Sequence, residues 1–213
     1  MCNPRGVIMI FNFVRFLVLV FLSIGVKEGW AEAAVYSSAV GMSRPTICLN
    51  MIVKDEKEVI CRCLESALPL IDYWVIVDTG SKDGTQDIIR EYMKDVPGEL
   101  YERPWVNFEH NRNEALDLAK DKADYLLFID ADDRFEIDPD FVMPSLDKEG
   151  YYMMIKYGGS LYPRVQLIKT SANWRWGGVV HEALIPPNWN ALGKLEGVRM
   201  IIVGGGGRSV VKN

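Results

Sequence analysis

Apolar residues in this chain fall in short unbroken runs, and each run gives way to a stretch where they recur every three or four positions. Residues 46–53 (TICLNMIV) are continuous and partly β-branched, bounded by Pro45 and by Lys54-Asp55, which predicts a buried strand. Val59, Ile60, Cys63, Leu64, Ala67 and Leu68 then share one helical face, and Asp55 followed by Glu58 reads as a capping box opening that helix. The order repeats. Residues 73–77 predict a second buried strand, stopped by Asp78-Thr79-Gly80-Ser81, and a second helix carries Ile88, Ile89, Tyr92 and Met93 on one face with Asp83 as its cap. Residues 99–103 predict a weaker strand, 108–120 a helix, and 125–129 (YLLFI) a buried strand ending at Asp130-Ala131-Asp132-Asp133. After Pro139 the pattern changes. Strands are expected at 151–157 and 165–169, then an aromatic segment from Asn173 to Gly178 that leads into Val179-Val180-His181-Glu182.

Strand and helix in alternation, with strands apolar throughout, predict an α/β fold: a mainly parallel sheet with helices on both faces. Ligands of such sheets bind outside the carboxyl ends of the strands. Acids gather at those ends here, namely Asp55 and Glu56, Asp78, and Asp130 with Asp132. The segment after Pro139 reads as a second layer added to the first half.

The first forty residues are of another kind. Residues 7–26 are apolar except for Asn12, Arg15 and Ser23. Three readings stand for residues 1–41. They form a membrane anchor, a signal peptide with Ala31-Glu32-Ala33 as its cleavage site, or an extension preceding a start at Met42. A charge inside a membrane span costs about 2.5–3.5 kcal/mol, so Arg15 weighs against a full span. The domain is expected over residues 42–203, and 204–213, which opens with four glycines, as a flexible tail.

Composition narrows the function. Of 213 residues, 49% are hydrophobic and 25% charged, which suits a packed domain and excludes disordered and low-complexity classes. The net charge of -5, without a cluster of Lys and Arg, argues against a nucleic-acid partner. Four cysteines, at 2, 48, 61 and 63, are too few for a disulfide scaffold, and Cys61-x-Cys63 lacks the further ligands zinc needs, so buried thiols are expected.

The strongest candidate chemistry is Asp130-Ala131-Asp132. Two carboxylates in one turn can hold a hard divalent cation, Mn2+ or Mg2+, which leaves room for water and phosphate oxygens. Taken alone, D-x-D is more often a solvated acidic turn. Its place after a buried strand, among other strand-end acids, favours the metal. Asp78, at the second strand end, can accept hydrogen bonds from a base or ribose.

These motifs together carry a resemblance. The run ICLNMIVKDEKEVICRCLESALPLIDYWVIVDTGSKDGTQDII, then Trp105 to Phe108 with Arg112-Asn113, then LLFIDADDRFE, resembles the family 2 glycosyltransferases of GT-A fold. It is most similar to members whose later tryptophan segment ends in Val-His-Glu, here Trp174 to Glu182. The resemblance runs from about Thr46 to Glu182 and implies a Rossmann-like nucleotide-binding half plus an acceptor-side half. It implies that Asp130 and Asp132 hold the metal on the diphosphate of a nucleotide sugar, with Asp130 also at the donor, and that His181 completes the metal shell or touches the diphosphate. Asp78 would then recognise the nucleoside, Glu56 would lie in the nucleoside pocket, Arg112 and Asn113 would organise the donor pocket, and Glu182 would be the base. Trp174 and Trp176 either stack on sugar faces or pack in the core.

The implied activity is a metal-dependent inverting transfer of a sugar, with a UDP-sugar as the expected donor and a glycan, lipid-linked or protein acceptor. Donor supply places it in the cytoplasm, with membrane association through residues 7–26 as an option. Members of this kind usually continue beyond the point where Gly207-Arg208-Ser209 stands, so truncation and an inactive nucleotide-binding remnant form the alternative. A phosphatase with Asp130 as nucleophile ranks lower, because that D-x-D usually follows the first strand and here it follows about the fourth. Lys54-Asp55-Glu56 after the first strand, in place of G-x-G-x-x-G, argues against a dinucleotide site.

Overall fold

The computed structural model of the chain describes residues 44–178 and 182–206. Expectations placed on the leader and on His181 therefore lie outside the described residues. The chain divides into two units, Met1–Arg44 and Pro45–Asn213, and the sheet and its helices belong to the second.

The strands are β1 (Ile47–Val53), β2 (Tyr73–Asp78), β3 (Gly98–Glu102), β4 (Tyr125–Phe128), β5 (Arg134–Ile137), β6 (Gly150–Tyr157), β7 (Ser160–Lys169), β8 (Arg175–Gly177), β9 (Ala183–Ile185) and β10 (Leu192–Ile201). The helices are α1 (Ile60–Ala67), α2 (Thr85–Tyr92) and α3 (Phe108–Ala119). An eight-stranded sheet runs β3-β2-β1-β4-β7-β6-β10-β5, while β8 and β9 form a separate antiparallel pair. Strands β3, β2, β1 and β4 are parallel, β7 runs against both β4 and β6, and β10 is parallel to β6. This is the α/β, mainly parallel architecture that the alternation predicted.

Helices cover both faces of the parallel half. Ile47, Leu49, Met51 and Val53 of β1 point into one core with Ile60 and Leu64 of α1 and Ile89 of α2. Cys48 points the other way, into a second core with Leu116 and Ala119 of α3, Trp174 and Trp176. Asn50 shares that second face, and its buried amide Nδ2 donates to the Ala115 carbonyl at 2.8 Å, so a polar residue in the strand ties α3 to the sheet. Cys48 and Cys63 are buried free thiols. Among the described residues, no helix is long and apolar enough to cross a membrane.

Two local expectations are corrected. The Asp55/Glu58 capping box does not form: α1 begins at Ile60 with Val59 as an N-cap that makes no side-chain bond. The residues between β1 and α1 bond instead to the loop after β2. The Asp55 amide donates to Ser81 Oγ, Lys82 N–H donates to Asp55 Oδ1, Glu56 N–H to Thr85 Oγ1, and Lys57 N–H to Asp83 Oδ2. Asp83 stands one residue before the N-cap, Gly84, whose φ of 93° requires glycine, and it still accepts from the Thr85 amide at 3.0 Å. The two loops are thereby zipped together above the strand ends. The sequence pattern does not predict β5, β8, β9 or β10.

Candidate active site

The sheet order reverses at β1: the chain steps outward through β2 and β3, then returns to place β4 on the other side of β1. The crevice above such a reversal is where ligands of open α/β sheets bind. Here β4 delivers the acidic turn to it. The Asp133 amide donates to the Asp130 carbonyl at 3.0 Å, closing the turn, and Arg62 of α1 braces it by donating from Nη2 to the Asp132 carbonyl at 2.5 Å.

Arg112, near the start of α3, is the centre of the site. Its Nη2 donates to Asp130 Oδ1 at 2.6 Å and its Nε to Glu182 Oε1 at 3.1 Å. The guanidinium lies 4.7 Å from the centre of the Trp176 ring, a cation–π contact, and Trp176 meets Phe128 edge-on. Only 11% of the Arg112 side chain is exposed. Burial works against its charge, but the Asp130 and Glu182 carboxylates outweigh it and hold Arg112 protonated above its ordinary range. α3 enters this position because Asn107 caps it, its side chain accepting from the His110 amide at 2.8 Å.

Asn113, one residue on, faces elsewhere. Its side chain donates to the Trp176 carbonyl and accepts from the Trp176 amide, both at 2.9 Å, so it pins β8 to α3 and does not line the cavities around Arg112. Asp78 is likewise turned inward at 1% exposure. Its Oδ1 accepts from the amides of Gly80 and Ser81 and from Gln86 Nε2, which shapes the turn after β2, while Oδ2 is buried without a hydrogen-bond partner. Thr79, its neighbour, reaches the cavity. Trp174 is core, its Nε1 donating to the Glu149 carbonyl, whereas Trp176 lines a cavity.

Two cavities meet at Arg112, Asp130 and Glu182. The smaller, about 290 Å³, is also lined by Glu56, Thr79, Trp105, Phe108, Asp132 and Gly206. The larger, about 530 Å³, is also lined by Tyr152, Arg164, Gln166, Trp176 and Trp189. Glu56, Asp130, Asp132 and Glu182 are thus brought together as expected residues. Arg62, Trp105, Phe108 and Gly206 are additions.

Gly206 belongs to the run expected to be a flexible tail. Instead, Val203 N–H donates to Asp133 Oδ1 at 3.2 Å, the Gly204 carbonyl accepts from Arg62 Nη2 at 3.4 Å, and Gly206 is buried beside Glu56, where a Cβ would come within 2.5 Å of Oε2. Gly204 and Gly205 have φ of 72° and 99°, the left-handed region. This strap of glycines therefore brings Gly206 to the wall of the smaller cavity.

The acidic turn suits a divalent cation in its donor set, hard carboxylate oxygens at a cavity wall. Its charge is also incompletely compensated. Burial, then the charges of Asp130 and Asp132, push the Asp133 carboxyl up to about 7. Among the described residues, which do not include His181, no group of three or more His, Cys, Asp or Glu stands as a ligand set.

The fold and site define a class: an α/β domain with an acid-lined cavity above the carboxyl ends of parallel strands. More particularly, residues 48–146 match the family model Glycosyl transferase family 2, and over this stretch the chain resembles that family. The SPbeta prophage-derived glycosyltransferase SunS of Bacillus subtilis is 27% identical over 157 residues, covering 68% of this chain and 36% of SunS. A TPR repeat-containing protein of Synechococcus elongatus is 35% identical over 95 residues, covering 44% of this chain and 22% of that protein. The chain thus spans 36% and 22% of these relatives' lengths. Among solved structures, the mannosyltransferase PcManGT of Pyrobaculum calidifontis in complex with GDP-Man and Mn2+ is 22% identical over 44% of this chain and 29% of that one, with a TM-score of 0.37.

Proposed function

We propose that this chain is a metal-dependent inverting glycosyltransferase that moves a sugar from a nucleotide donor to an acceptor hydroxyl. The observation that carries the reading is the shared wall: Arg112, Asp130 and Glu182 face both cavities, so one compartment can hold the donor and the other the acceptor on opposite sides of one reacting centre. Attack from the side opposite the leaving group inverts the anomeric carbon.

The smaller cavity takes the donor, its nucleoside toward Glu56 and the aromatic pair Trp105 and Phe108, its diphosphate toward Asp130 and Asp132. Those two carboxylates would hold Mn2+ or Mg2+, which when bound supplies Lewis-acid stabilisation of the departing nucleoside diphosphate. Glu182 accepts the proton of the acceptor hydroxyl, whose oxygen forms the new bond to the anomeric carbon while the bond to the nucleoside diphosphate breaks. Arg112 holds the Glu182 carboxylate in register with the acidic turn through its two bonds. Nucleotide sugars are made in the cytosol, which places this domain on the cytoplasmic side.

The test is calorimetric titration of the chain with a nucleoside diphosphate, with and without Mn2+, beside a turnover assay over a panel of nucleotide sugars. Metal-dependent binding with turnover supports the reading. Binding without any turnover returns the inactive remnant, and phosphomonoester hydrolysis without nucleotide binding returns the phosphatase.

A further inference from the structure

The larger cavity opens where β7 leaves β4. The two strands pair only at Leu127↔Leu167, Leu126↔Ile168 and Tyr125↔Lys169, and the preceding residues of β7, Pro163 to Gln166, line the space that results. Four charged side chains face it: Arg112, Asp130, Glu182 and Arg164. The first three satisfy one another, since Arg112 bonds both carboxylates.

Arg164 is different. It is exposed and makes no ion pair among the described residues. Its Nη2 lies 3.8 Å from Met200 Sδ, and 2.9 Å from the Gln166 amide oxygen in the orientation of that buried amide which satisfies both of its ends. Asp133, whose charge Arg164 can feel, is itself buried and bonded to the Val203 amide. A guanidinium steered by a buried neutral amide keeps its planar fork of donors for a carboxylate or phosphate. The same cavity presents Trp189, 70% exposed on a short 3-10 turn, along with Tyr152 and Trp176. An indole left open to water beside a polar cavity offers a flat apolar surface to a ring that carries both C–H faces and hydroxyls.

We infer that the larger cavity receives an acceptor unit that is a sugar or polyol bearing an anionic group, with the anion on Arg164 and the ring face on Trp189. This rests on the glycosyltransferase reading and names the acceptor class of that site. Phosphate and carboxylate share the chemistry Arg164 would recognise, and the choice of probes separates them.

The experiment uses the full chain with saturating UDP and Mn2+ and measures, by ligand-observed NMR, the affinity of glucose, glucuronate and glucose 6-phosphate. At least one anionic probe should bind about tenfold or more tightly than glucose, the factor one charge-assisted contact supplies. Arg164→Gln should remove that preference and leave UDP affinity unchanged, while Trp189→Ala should weaken all three sugars together. Equal binding of the three sugars overturns the inference, as does a loss of UDP affinity in Arg164→Gln, which would put Arg164 on the donor. Failure of the parent reading looks different: UDP with Mn2+ does not bind, whatever the sugars do.

Discussion

At the scale of single residues, the site depends on how few cations serve many acids. Arg112 is shared by Asp130 and Glu182, at side-chain exposures of 11%, 40% and 14% respectively, and Arg62 contributes its charge to backbone carbonyls. Replacing Arg112 by Met strands two carboxylates and should cost about 2–3 kcal/mol, less than a fully buried pair would because Asp130 is partly solvated, read as a fall in the denaturation midpoint. Asp132→Ala should leave the fold intact and remove the Mn2+-dependent part of nucleoside diphosphate affinity. Unchanged affinity with Mn2+ would end the metal assignment. Glu182→Gln keeps shape and hydrogen bonding but not basicity, so turnover should fall by roughly 10²–10⁴ with donor affinity nearly constant. Turnover within about tenfold of the parent would move the base elsewhere.

Elements are held in place by bonds that cross between them. β8 carries Trp176 to the site only because Asn113 grips both its amide and its carbonyl, and Asn113→Ala should cost about 1–3 kcal/mol and change the near-ultraviolet circular dichroism of the Trp176 environment. The glycine strap is the other such element. Gly206→Val would displace the Glu56 carboxylate from beside this buried glycine and lower nucleotide affinity, with far-ultraviolet circular dichroism confirming that the variant folds; a folded variant with unchanged affinity would mean that the strap does not bound the donor site.

Across the whole molecule, the parallel half ends at β3, and a charge network ties β3 and β2 to Lys122 beyond α3. Glu99 accepts from Lys122 Nζ at 2.5 Å and from the hydroxyls of Tyr101 and Tyr73, and these bonds, Lys122 foremost, bring its carboxyl down to about 2. A carboxyl depressed in the folded state stabilises fully above its unfolded value of about 4.3, and that contribution is lost as pH falls from there to about 2. Melting temperature should therefore drop through this window in the parent, and Glu99→Gln should flatten the drop; parallel curves would show that the network contributes nothing.

What the chain alone determined is what short-range pattern can carry. Buried parallel strands need unbroken apolar runs, so β1, β2 and β4 were legible, and so were the acids at their ends, because polar residues cannot continue such runs. β10 was not. A register shift between Lys194 and Arg199, with Gly197 at φ 80°, breaks its period-two pattern, and β5 has one buried residue, Phe135, directly after the acidic turn. Tertiary structure decided the rest. Asp55 could have capped α1, but the loop after β2 offered it Lys82; Arg112 met Glu182 across 70 residues; and glycines that look like a linker were drawn in because Arg62 and Asp133, both committed to the acidic turn, had bonds to give to Val203 and Gly204. Sequence spacing registers which groups can bond, and only the packed sheet settles which of them come within reach.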